Sequence, residues 1–551
     1  MNNLSKFLCV ICVLCGLILS ANAQSKLTSK ILLIPLDDRP PCLQMPVKMG
    51  LIGDAEIITP PRNLLGRFTD FGKSDEIIKW LKTQNLKSFD AAIISLDMLA
   101  YGGLVAMREY ETASETAMKR AEFIREIRKI APKMPIYGSS VIMRLAPTGN
   151  VVNESYRANL ARWAEISVDE SKKSETAELI KKIPAEALEK YKKARQRDVQ
   201  LNLYAVDLVK AKVFDYLILS QDDAKPNGVH IADREKLIEY VKTNNLAEKV
   251  AVQPGADEVS MLLLARAMST KYNYHPKIKA IYSDEKIADQ FMPYEDRPLR
   301  NTVSFHIKAV GATEVIDAKQ ADILFYVFVS RFEKGQAEIF AAEIKPKQQG
   351  EKFKIIADVD IKGDIQGADQ KFTEALNENH VFSSLAGYAA WNTAGNTIGT
   401  ALPHGIIYTL ARTKFIEPQN IKKMPEKDVV LQNSRRERIR ISQMWFMLNR
   451  IADDYIYHKL VRPDTNNFAR QQGWNTFRFD KNQTKAVENF AADKVKNGLL
   501  QYSPDFIYAL NSNLTCSNLK SFDFKLPWGR TFEAEIDFEF ECEKVGEIKL
   551  K

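Results

Sequence analysis

Short runs of apolar residues alternate with longer segments of helical periodicity from residue 30 onward. Most of the short runs are continuous and rich in β-branched residues or leucine, which is typical of parallel strands covered on both faces. The predicted strands of the first half are residues 31–36, 56–58, 91–96, 135–139, 216–219, 250–252 and 279–282. The pattern therefore predicts an α/β protein with a parallel sheet, either TIM-barrel-like or doubly wound.

The intervening segments have the spacing of amphipathic helices, for example residues 112–130, 232–243 and 257–269. A charged stretch rich in Ala, Glu and Lys at about 151–210 is longer than a crossover needs, so we expect a helical insertion, either a lid or a packing arm. Further strands are predicted at 321–329, 354–357 and 385–390, then helices at 435–452 and through 498, and a half-buried strand within 522–550.

These patterns divide the chain into four parts. Residues 1–23 are a predicted signal peptide, and residues 24–300 an N-terminal α/β domain that contains the insertion. Residues 301–417 are a second α/β segment that completes a barrel or forms a second lobe. Residues 418–551 are a C-terminal helical region with a β tail.

The N-terminus has the features of a cleavable secretory signal: Lys6, an apolar core over 7–19, and small residues before Gln24. Cleavage is predicted after Ala23. About 13 apolar residues are too few for the roughly 20 that span a bilayer, which argues against a membrane anchor. A lipobox has Gly, Ala or Ser directly before its cysteine. Leu14 precedes Cys15 here, so a lipoprotein is disfavoured. We expect a secreted or periplasmic protein.

The composition argues against several classes of protein, such as nucleic-acid-binding, membrane-inserted and zinc-binding proteins. The net charge is +8, but Lys and Arg are interspersed with almost as many Asp and Glu, so no concentrated basic face for nucleic acid is expected. No later stretch is long enough for membrane insertion. Cys42, Cys516 and Cys542 remain after signal removal and have no C-x-x-C spacing for zinc. Cys516 and Cys542 could pair in an oxidising compartment, which leaves Cys42 as a buried thiol.

Acidic side chains follow four of the predicted strands. In parallel α/β folds the carboxyl ends of the strands form one ligand-binding edge, so these residues should converge there. The candidate residues after the strands are Asp37, Asp38 and Arg39, then Asp97, Tyr101 and Gly102, then Asp222 and Asp223, and finally Asp257 and Glu258.

Each of these acids also has a structural interpretation. Asp223 could cap a turn, Asp257 and Glu258 could form the acidic first turn of a helix, and Asp37 could hold Arg39 in a salt bridge. Clustered acids repel one another and desolvate poorly, unless a substrate, a metal or a proton offsets that cost. Four acidic segments at one edge therefore favour a functional site.

A fifth segment, residues 387–401, passes from a strand into a glycine-spaced helix start. Trp391 suits stacking on a sugar ring, and Asn392 or Asn396 could bind hydroxyl or acetamido groups; the alternative is a helix packed closely through small residues. Signatures of serine hydrolases, nucleotide enzymes and zincins are absent from the sequence. Of the six histidines only His230 and His404 are expected near the site, so neither a histidine-rich metal centre nor a cofactor is predicted.

Several motifs together resemble the bacterial family called domain of unknown function 4127. They are IPLDDRP at 34–40, YGG at 101–103, QDD at 221–223, PGADE at 254–258, the 387–401 segment, DDY at 453–455 and LPW at 526–528. The resemblance covers nearly the whole mature chain and is most specific over 391–401. It supports the fold and the site and implies no reaction.

The favoured function is that of a glycoside hydrolase, which needs one carboxylic acid to protonate the leaving oxygen and a second carboxylate. The candidate catalytic residues are Asp222, Asp223, Asp257 and Glu258, with Asp223 as general acid and Asp222 as its partner. The adjacent acids resemble those of substrate-assisted N-acetylhexosaminidases, so N-acetylated hexosaminides are one candidate substrate. The other candidate residues would line the site and bind carbohydrate or cell-envelope glycan.

Two alternatives stay open. The first is a divalent-metal hydrolase of phosphate or acyl esters, with Asp37, Asp97, Asp222 and Asp257 as oxygen ligands. The second is a non-catalytic envelope protein that binds glycan in the same cleft.

Overall fold

The computed structural model describes residues 27–150, 152–345, 352–363, 367–417, 425–509 and 514–544. The predicted signal peptide and its cleavage site lie outside these residues. Within the described ranges, no helix is both long and apolar enough to cross a membrane.

The first sheet is parallel and has six strands in the order β2-β1-β3-β4-β5-β6. Its strands are β1 Ser29–Ile34, β2 Ala55–Ile58, β3 Ala91–Ser95, β4 Ile136–Ile142, β5 Tyr216–Gln221 and β6 Val250–Pro254. Strand β1 pairs with β3 through Leu33 opposite Ile93. The order reverses direction between β1 and β3, which creates a topological switch point at their carboxyl ends.

The second sheet is also parallel and has five strands in the order β11-β10-β9-β7-β8. Its strands are β7 Lys277–Tyr282, β8 Thr313–Glu314, β9 Ile323–Phe328, β10 Phe353–Asp358 and β11 Gly387–Ala389. Counted from β8, the order is second, first, third, fourth, fifth, as in the first sheet. Both sheets are open in the described structure, so the chain has the doubly wound arrangement rather than one closed barrel. The predicted domain boundaries at 300 and 417 stay a prediction.

Helices connect the strands and form most of the C-terminal region. In the first half they are α1 Gln44–Ile52, α2 Ser74–Thr83, α3 Leu96–Ala100, α4 Leu104–Met107, α5 Ser114–Ile130, α6 Arg157–Ile166, α7 Lys173–Lys181, α8 Ala185–Lys210, α9 Val229–Thr243 and α10 Val259–Tyr272. In the second half they are α11 Glu285–Ala288, α12 Leu299–Ala309, α13 Gln336–Ile344, α14 Gln370–Glu378, α15 Ala394–Ala411, α16 Glu426–Arg450, α17 Arg462–Gln471 and α18 Lys481–Ala509. The predicted helical insertion is confirmed as α6 to α8.

The core explains why the strands are continuous apolar runs. Alternate residues of a strand point to opposite faces of the sheet. In β1, Ile31 and Leu33 lie in one apolar cluster, whereas Leu32 and Ile34 lie in another. The first cluster also contains Phe325 of the second sheet, so one core extends under both sheets.

The C-terminal residues form an antiparallel hairpin of β12 Leu514–Lys525 and β13 Glu535–Lys544. The predicted pairing of Cys516 with Cys542 is confirmed as a disulfide across this hairpin, and Cys42 is buried and free. Helix α16 anchors the hairpin because Trp445 Nε1 donates to the backbone oxygen of Phe538. The loop between the two strands thereby lies over the carboxyl end of β1.

Candidate functional site

Arg39 is the centre of a buried cluster at the carboxyl end of β1. Its NH2 group donates to Asp37 Oδ2 at 2.7 Å and to Asp257 Oδ1 at 2.6 Å. Its NH1 group donates to Asp257 Oδ2 at 3.0 Å, and Nε donates to both oxygens of Asp37. Arg39 therefore joins Asp37 to Asp257, which lies 218 residues after Arg39 in the chain.

Burial dominates the electrostatics of this cluster. It raises the pKa of Asp257 to about 6, although Arg39 opposes the shift; the charge on Asp37 adds to it. Burial alone would lower the pKa of Arg39, but Asp257 and Asp37 hold it well above its ordinary value. The cluster is therefore a guanidinium cation shared by two carboxylates, and one of them, Asp257, has a raised pKa.

The loop of the C-terminal hairpin covers this cluster. The Trp528 ring lies 4.6 Å from the Arg39 guanidinium, and its Nε1 donates to Asp38 Oδ1 at 2.7 Å. Glu533 lies 3.9 Å from Arg39 NH1 and pairs with Arg530. Burial raises the pKa of Asp38, while the Trp528 hydrogen bond lowers it. Asp38 thus holds the tail over the site.

Asp222 and Asp223 each have an arginine partner of their own. Arg108 donates to Asp222 Oδ2 from Nε at 3.0 Å and from NH2 at 2.5 Å. Arg144 NH1 donates to Asp223 Oδ2 at 2.8 Å. Asp222 Oδ1 accepts from the backbone nitrogen of Asp223 at 2.9 Å, and neither carboxylate caps a helix.

These two neighbouring acids have opposite pKa shifts. Burial raises the pKa of Asp222, but the Arg108 and Arg144 guanidiniums outweigh it, so the pKa is below its ordinary value. Burial and the charge on Asp222 raise the pKa of Asp223 above its ordinary value, although Arg144 opposes this. Asp222 is buried, whereas the Asp223 side chain is 42% exposed. Asp222 also raises the pKa of Asp257, which connects the two acid clusters electrostatically.

The helical insertion positions both arginine partners. Arg197 on α8 donates to the backbone oxygen of Met107 at 2.5 Å, directly before Arg108. Arg195 on the same helix donates to the oxygens of Met143 and Arg144 at 2.6 and 3.0 Å. The sequence predicted that the insertion is either a lid or a packing arm. The contacts of its long helix, α8, are those of a packing arm.

Asp97 and Tyr101 belong to a separate buried network. Asp97 Oδ2 accepts from the backbone nitrogen of Val141 at 3.0 Å, and the Tyr101 ring lies 4.1 Å below the Arg197 guanidinium. Burial and the nearby charge of Asp198 raise the pKa of Asp97 well above its ordinary value. Gly102 has φ of +98° and packs against the backbone of Gly72, so its role in the structure is a tight turn.

Glu258 contacts His306 in a second buried network. Its Oε1 lies 3.3 Å from His306 Nε2, and both side chains are fully buried. Glu295 lies beside them and accepts from the backbone nitrogen of Gly395 at 2.6 Å and from the Thr302 hydroxyl at 3.1 Å. Burial raises the pKa of Glu295 to about 7. This network joins the end of β6 to the start of α15.

The three residues predicted to hold sugar differ in exposure. Trp391 is buried and its Nε1 donates to the Thr400 hydroxyl at 3.0 Å, so the helix-packing alternative describes most of its contacts. Asn396 is also buried. Asn392 is partly exposed and has φ of +56°. This left-handed backbone conformation is uncommon for residues other than glycine, although asparagine adopts it more often than most.

Trp391 and Asn392 border a cavity of about 20 Å³ with Arg39, Glu533 and His458. The carboxyl ends of both sheets thus meet there. His306 contacts Glu258 and His458 lines this cavity, so His230 and His404 are not the only histidines near the predicted site residues. His230 bonds instead to the Lys225 carbonyl and His404 to Gln443, in the packed interior.

The proposed metal ligands have other partners. Asp37 and Asp257 bind Arg39, Asp222 binds Arg108, and Asp97 accepts from a backbone nitrogen. Over the described ranges, no group of three or more His, Cys, Asp or Glu side chains is arranged to hold a metal ion.

Sequence reasoning missed the partners that make these acids a site. They are Arg108, Arg144, Glu295, His306, His458, Trp528 and Glu533. Two motifs in the sequence were near these partners: LPW contains Trp528, and DDY begins five residues before His458. Neither motif shows which other residues it contacts in the folded chain.

Two doubly wound parallel sheets, whose carboxyl ends meet at an arginine-bridged carboxylate cluster under a disulfide-closed hairpin, define this chain as an α/β protein with a polar site between its sheets. The chain belongs to the family described as Protein of unknown function (DUF4127), whose model matches residues 31–537. A search of curated proteins finds no match.

Proposed function

We propose that this protein is an exported glycoside hydrolase acting on carbohydrate or cell-envelope glycan, with N-acetylated hexosaminides as one candidate substrate. The observation that carries the proposal is the adjacent pair Asp222 and Asp223, whose surroundings push their pKa values in opposite directions. Two carboxyls with divergent pKa values are the usual basis for separate acid and base roles in one site.

The two environments suggest the roles. Asp223 has the raised pKa and a side chain that reaches solvent, as a general acid requires. Asp222 is held ionised by Arg108, so it suits stabilising the positive charge that develops on a sugar ring or orienting an acetamido group. Asp257 and Glu258 stay candidate catalytic residues, and Asp257 has a pKa near 6 that also suits proton transfer.

The surroundings of Asp223 provide groups that suit saccharide binding. The next backbone nitrogen, of Ala224, donates to the Tyr294 carbonyl at 2.8 Å. Tyr294 is 51% exposed with φ of +65°, and it borders a small recess together with Asn392 and Asp360. Left-handed conformations of bulky residues are strained and cluster at functional sites. An exposed aromatic face beside amide and carboxylate groups is the usual composition of a sugar site.

Export is part of the proposal. The Cys516–Cys542 disulfide suits an oxidising compartment, and the N-terminal signal pattern directs the chain there. Expression with the native N-terminus in a bacterial host, followed by mass measurement of the periplasmic product, should give a chain that starts at Gln24. Retention of residues 1–23 in the cytoplasmic fraction would contradict export.

The activity test uses the purified mature protein on a panel of aryl glycosides, including N-acetylhexosaminides, with and without a chelator. Asp223→Asn and Asp222→Asn should lose activity, and chelation should leave it unchanged. Asp215→Asn is the matched control, because Asp215 pairs with Arg128 at the opposite end of β5. Chelator-sensitive ester cleavage would favour the metal hydrolase instead, and glycan affinity without turnover would favour the binding protein.

A further inference from the structure

Residues Ile451–Val461 form a π-helical segment between α16 and α17. In a π-helix the backbone hydrogen bonds join residues five apart, and such segments frequently occur at functional sites. Asp453 and His458 are five apart, so the π-helix aligns two side chains that an α-helix would separate by about 140° around its axis. The segment therefore creates a carboxylate and imidazole pair.

The pair is buried. His458 Nε2 lies 3.3 Å from Asp453 Oδ1, and both side chains are only 7% exposed. Arg450 NH2 donates to the other oxygen of Asp453 at 3.1 Å. Burial raises the pKa of Asp453, but His458 and Arg450 outweigh it, so the carboxyl lies below its ordinary pKa and stays ionised.

An ionised carboxylate beside Nε2 selects the imidazole tautomer with hydrogen on that nitrogen. The other nitrogen, Nδ1, is then a proton acceptor in the neutral ring. Among the described residues Nδ1 is buried and has no hydrogen-bond partner, and the 3.3 Å contact with Nε2 is an ion-pair contact that leaves Asp453 Oδ1 without a hydrogen bond. A buried acceptor without a partner is costly, which is a reason to look for a role.

His458 and Asp453 border the cavity of about 20 Å³ that Arg39, Trp391, Asn392 and Glu533 also line. A cavity of this size holds about one water molecule when polar groups surround it. Asn392 borders both this cavity and the outer recess beside Tyr294. The imidazole is therefore next to the region where the two sheets meet.

We propose that His458 is a catalytic base in this cavity and that Asp453 is the residue that positions it. This inference deepens the proposed hydrolysis and rests on it for the substrate. A water in the cavity gives one proton to His458 Nδ1 as its oxygen forms a bond to the carbon under attack. The bond from that carbon to the leaving oxygen breaks, and the leaving oxygen takes the proton of Asp223.

The charged groups around His458 come from three parts of the chain. Asp453 and Arg450 lie on the same helical run, Arg39 comes from the loop after β1, and Glu533 comes from the hairpin loop. From the packed helices α14 and α18, Glu374 and Tyr502 contact Tyr455 rather than the imidazole. Asp453 is thus the charge placed to set the tautomer of His458.

The direct test is NMR of histidine labelled with ¹³C and ¹⁵N in the intact mature protein. The chain has six histidines, and burial lowers the pKa of His230 to about 4 and of His404 to about 3, so these two should stay neutral near pH 7. Loss of one signal in His458→Gln assigns the ring.

We expect the assigned ring to carry hydrogen on Nε2 at neutral pH. In Asp453→Asn the share of the ring with hydrogen on Nε2 should fall, because a neutral amide is a weaker acceptor than a carboxylate. Asp464→Asn on α17, which removes an exposed pair with Lys494, is the control and should leave the tautomer unchanged. Hydrogen on Nδ1 in the parent protein, or an unchanged tautomer in Asp453→Asn, would overturn the proposal.

Kinetics provide the second readout. His458→Gln should lower kcat/KM by about 100-fold or more, and azide should restore turnover because that nucleophile needs no base. An unchanged kcat/KM, or no recovery of turnover with azide, would refute the role of His458. If the parent protein cleaves no glycoside at all, the proposed hydrolysis fails, while the tautomer measured by NMR still decides whether the pair exists.

Discussion

Replacement of Arg39 by methionine tests how the site is held together. The side chain is buried and bonds to two carboxylates, Asp37 and Asp257, at distances down to 2.6 Å. Removal of one partner from a buried ion pair typically costs about 3–5 kcal/mol, because the remaining charge has no counterion. Arg39→Met should therefore lower the free energy of unfolding by about that amount.

The loss of stability in Arg39→Met should increase as the pH rises. The pKa of Asp257 is already raised to about 6 in the folded protein, against about 3.9 in an unfolded chain. The folded state therefore binds this proton more readily, and the contribution of Asp257 to stability decreases as pH rises through this window. Without Arg39 the folded pKa rises further, so the deficit of the variant should be larger at pH 8 than at pH 5.

The assay is denaturant unfolding followed by tryptophan fluorescence, since Trp528 lies against the guanidinium. Arg62→Met is the matched control. Its side chain is 43% exposed and pairs with Asp38 and Glu535 at the same edge, so water can partly replace it and we expect a smaller cost than for Arg39→Met. Equal losses in the two variants, or a loss at Arg39 that is the same at both pH values, would refute this reasoning.

Two further predictions concern other parts of the fold. Thiol titration of the denatured mature protein should find one free thiol, from Cys42, and three after reduction; three before reduction would contradict the hairpin disulfide. Gly255→Ala should destabilise by about 1–3 kcal/mol more than Gly335→Ala, measured by unfolding. Both glycines have positive φ, but only at Gly255 would the new Cβ collide with Glu258, so equal costs would show that crowding there is unimportant.

The sequence predicted most strands of the two parallel sheets because most are short apolar runs, and some, such as β3 and β5, are buried along their whole length. The sequence also predicted that acidic residues follow the strands, because this depends only on the order of residues along the chain. Strand β8 was missed because Thr313 and Glu314 are both exposed and form no apolar pattern. The choice between barrel and open sheets depends on strand order, which no local pattern contains.

The site was harder to predict because its contacts join distant segments. Asp222 meets Arg108 across 114 residues, and Asp38 meets Trp528 across 490. No spacing rule connects such pairs. His458 was missed for a different reason, since a separation of five residues places side chains together only in a π-helix.

The central claim is that Asp223 donates a proton to the leaving group, and leaving-group dependence tests it most directly. The measurement is kcat/KM of the parent protein and of Asp223→Asn on a 4-nitrophenyl glycoside and its 2,4-dinitrophenyl counterpart. We predict a loss of about 100- to 10,000-fold in the variant on the first substrate and nearly full activity on the second, whose leaving group needs no acid. Equal losses on both substrates, or no loss on either, would contradict the assignment.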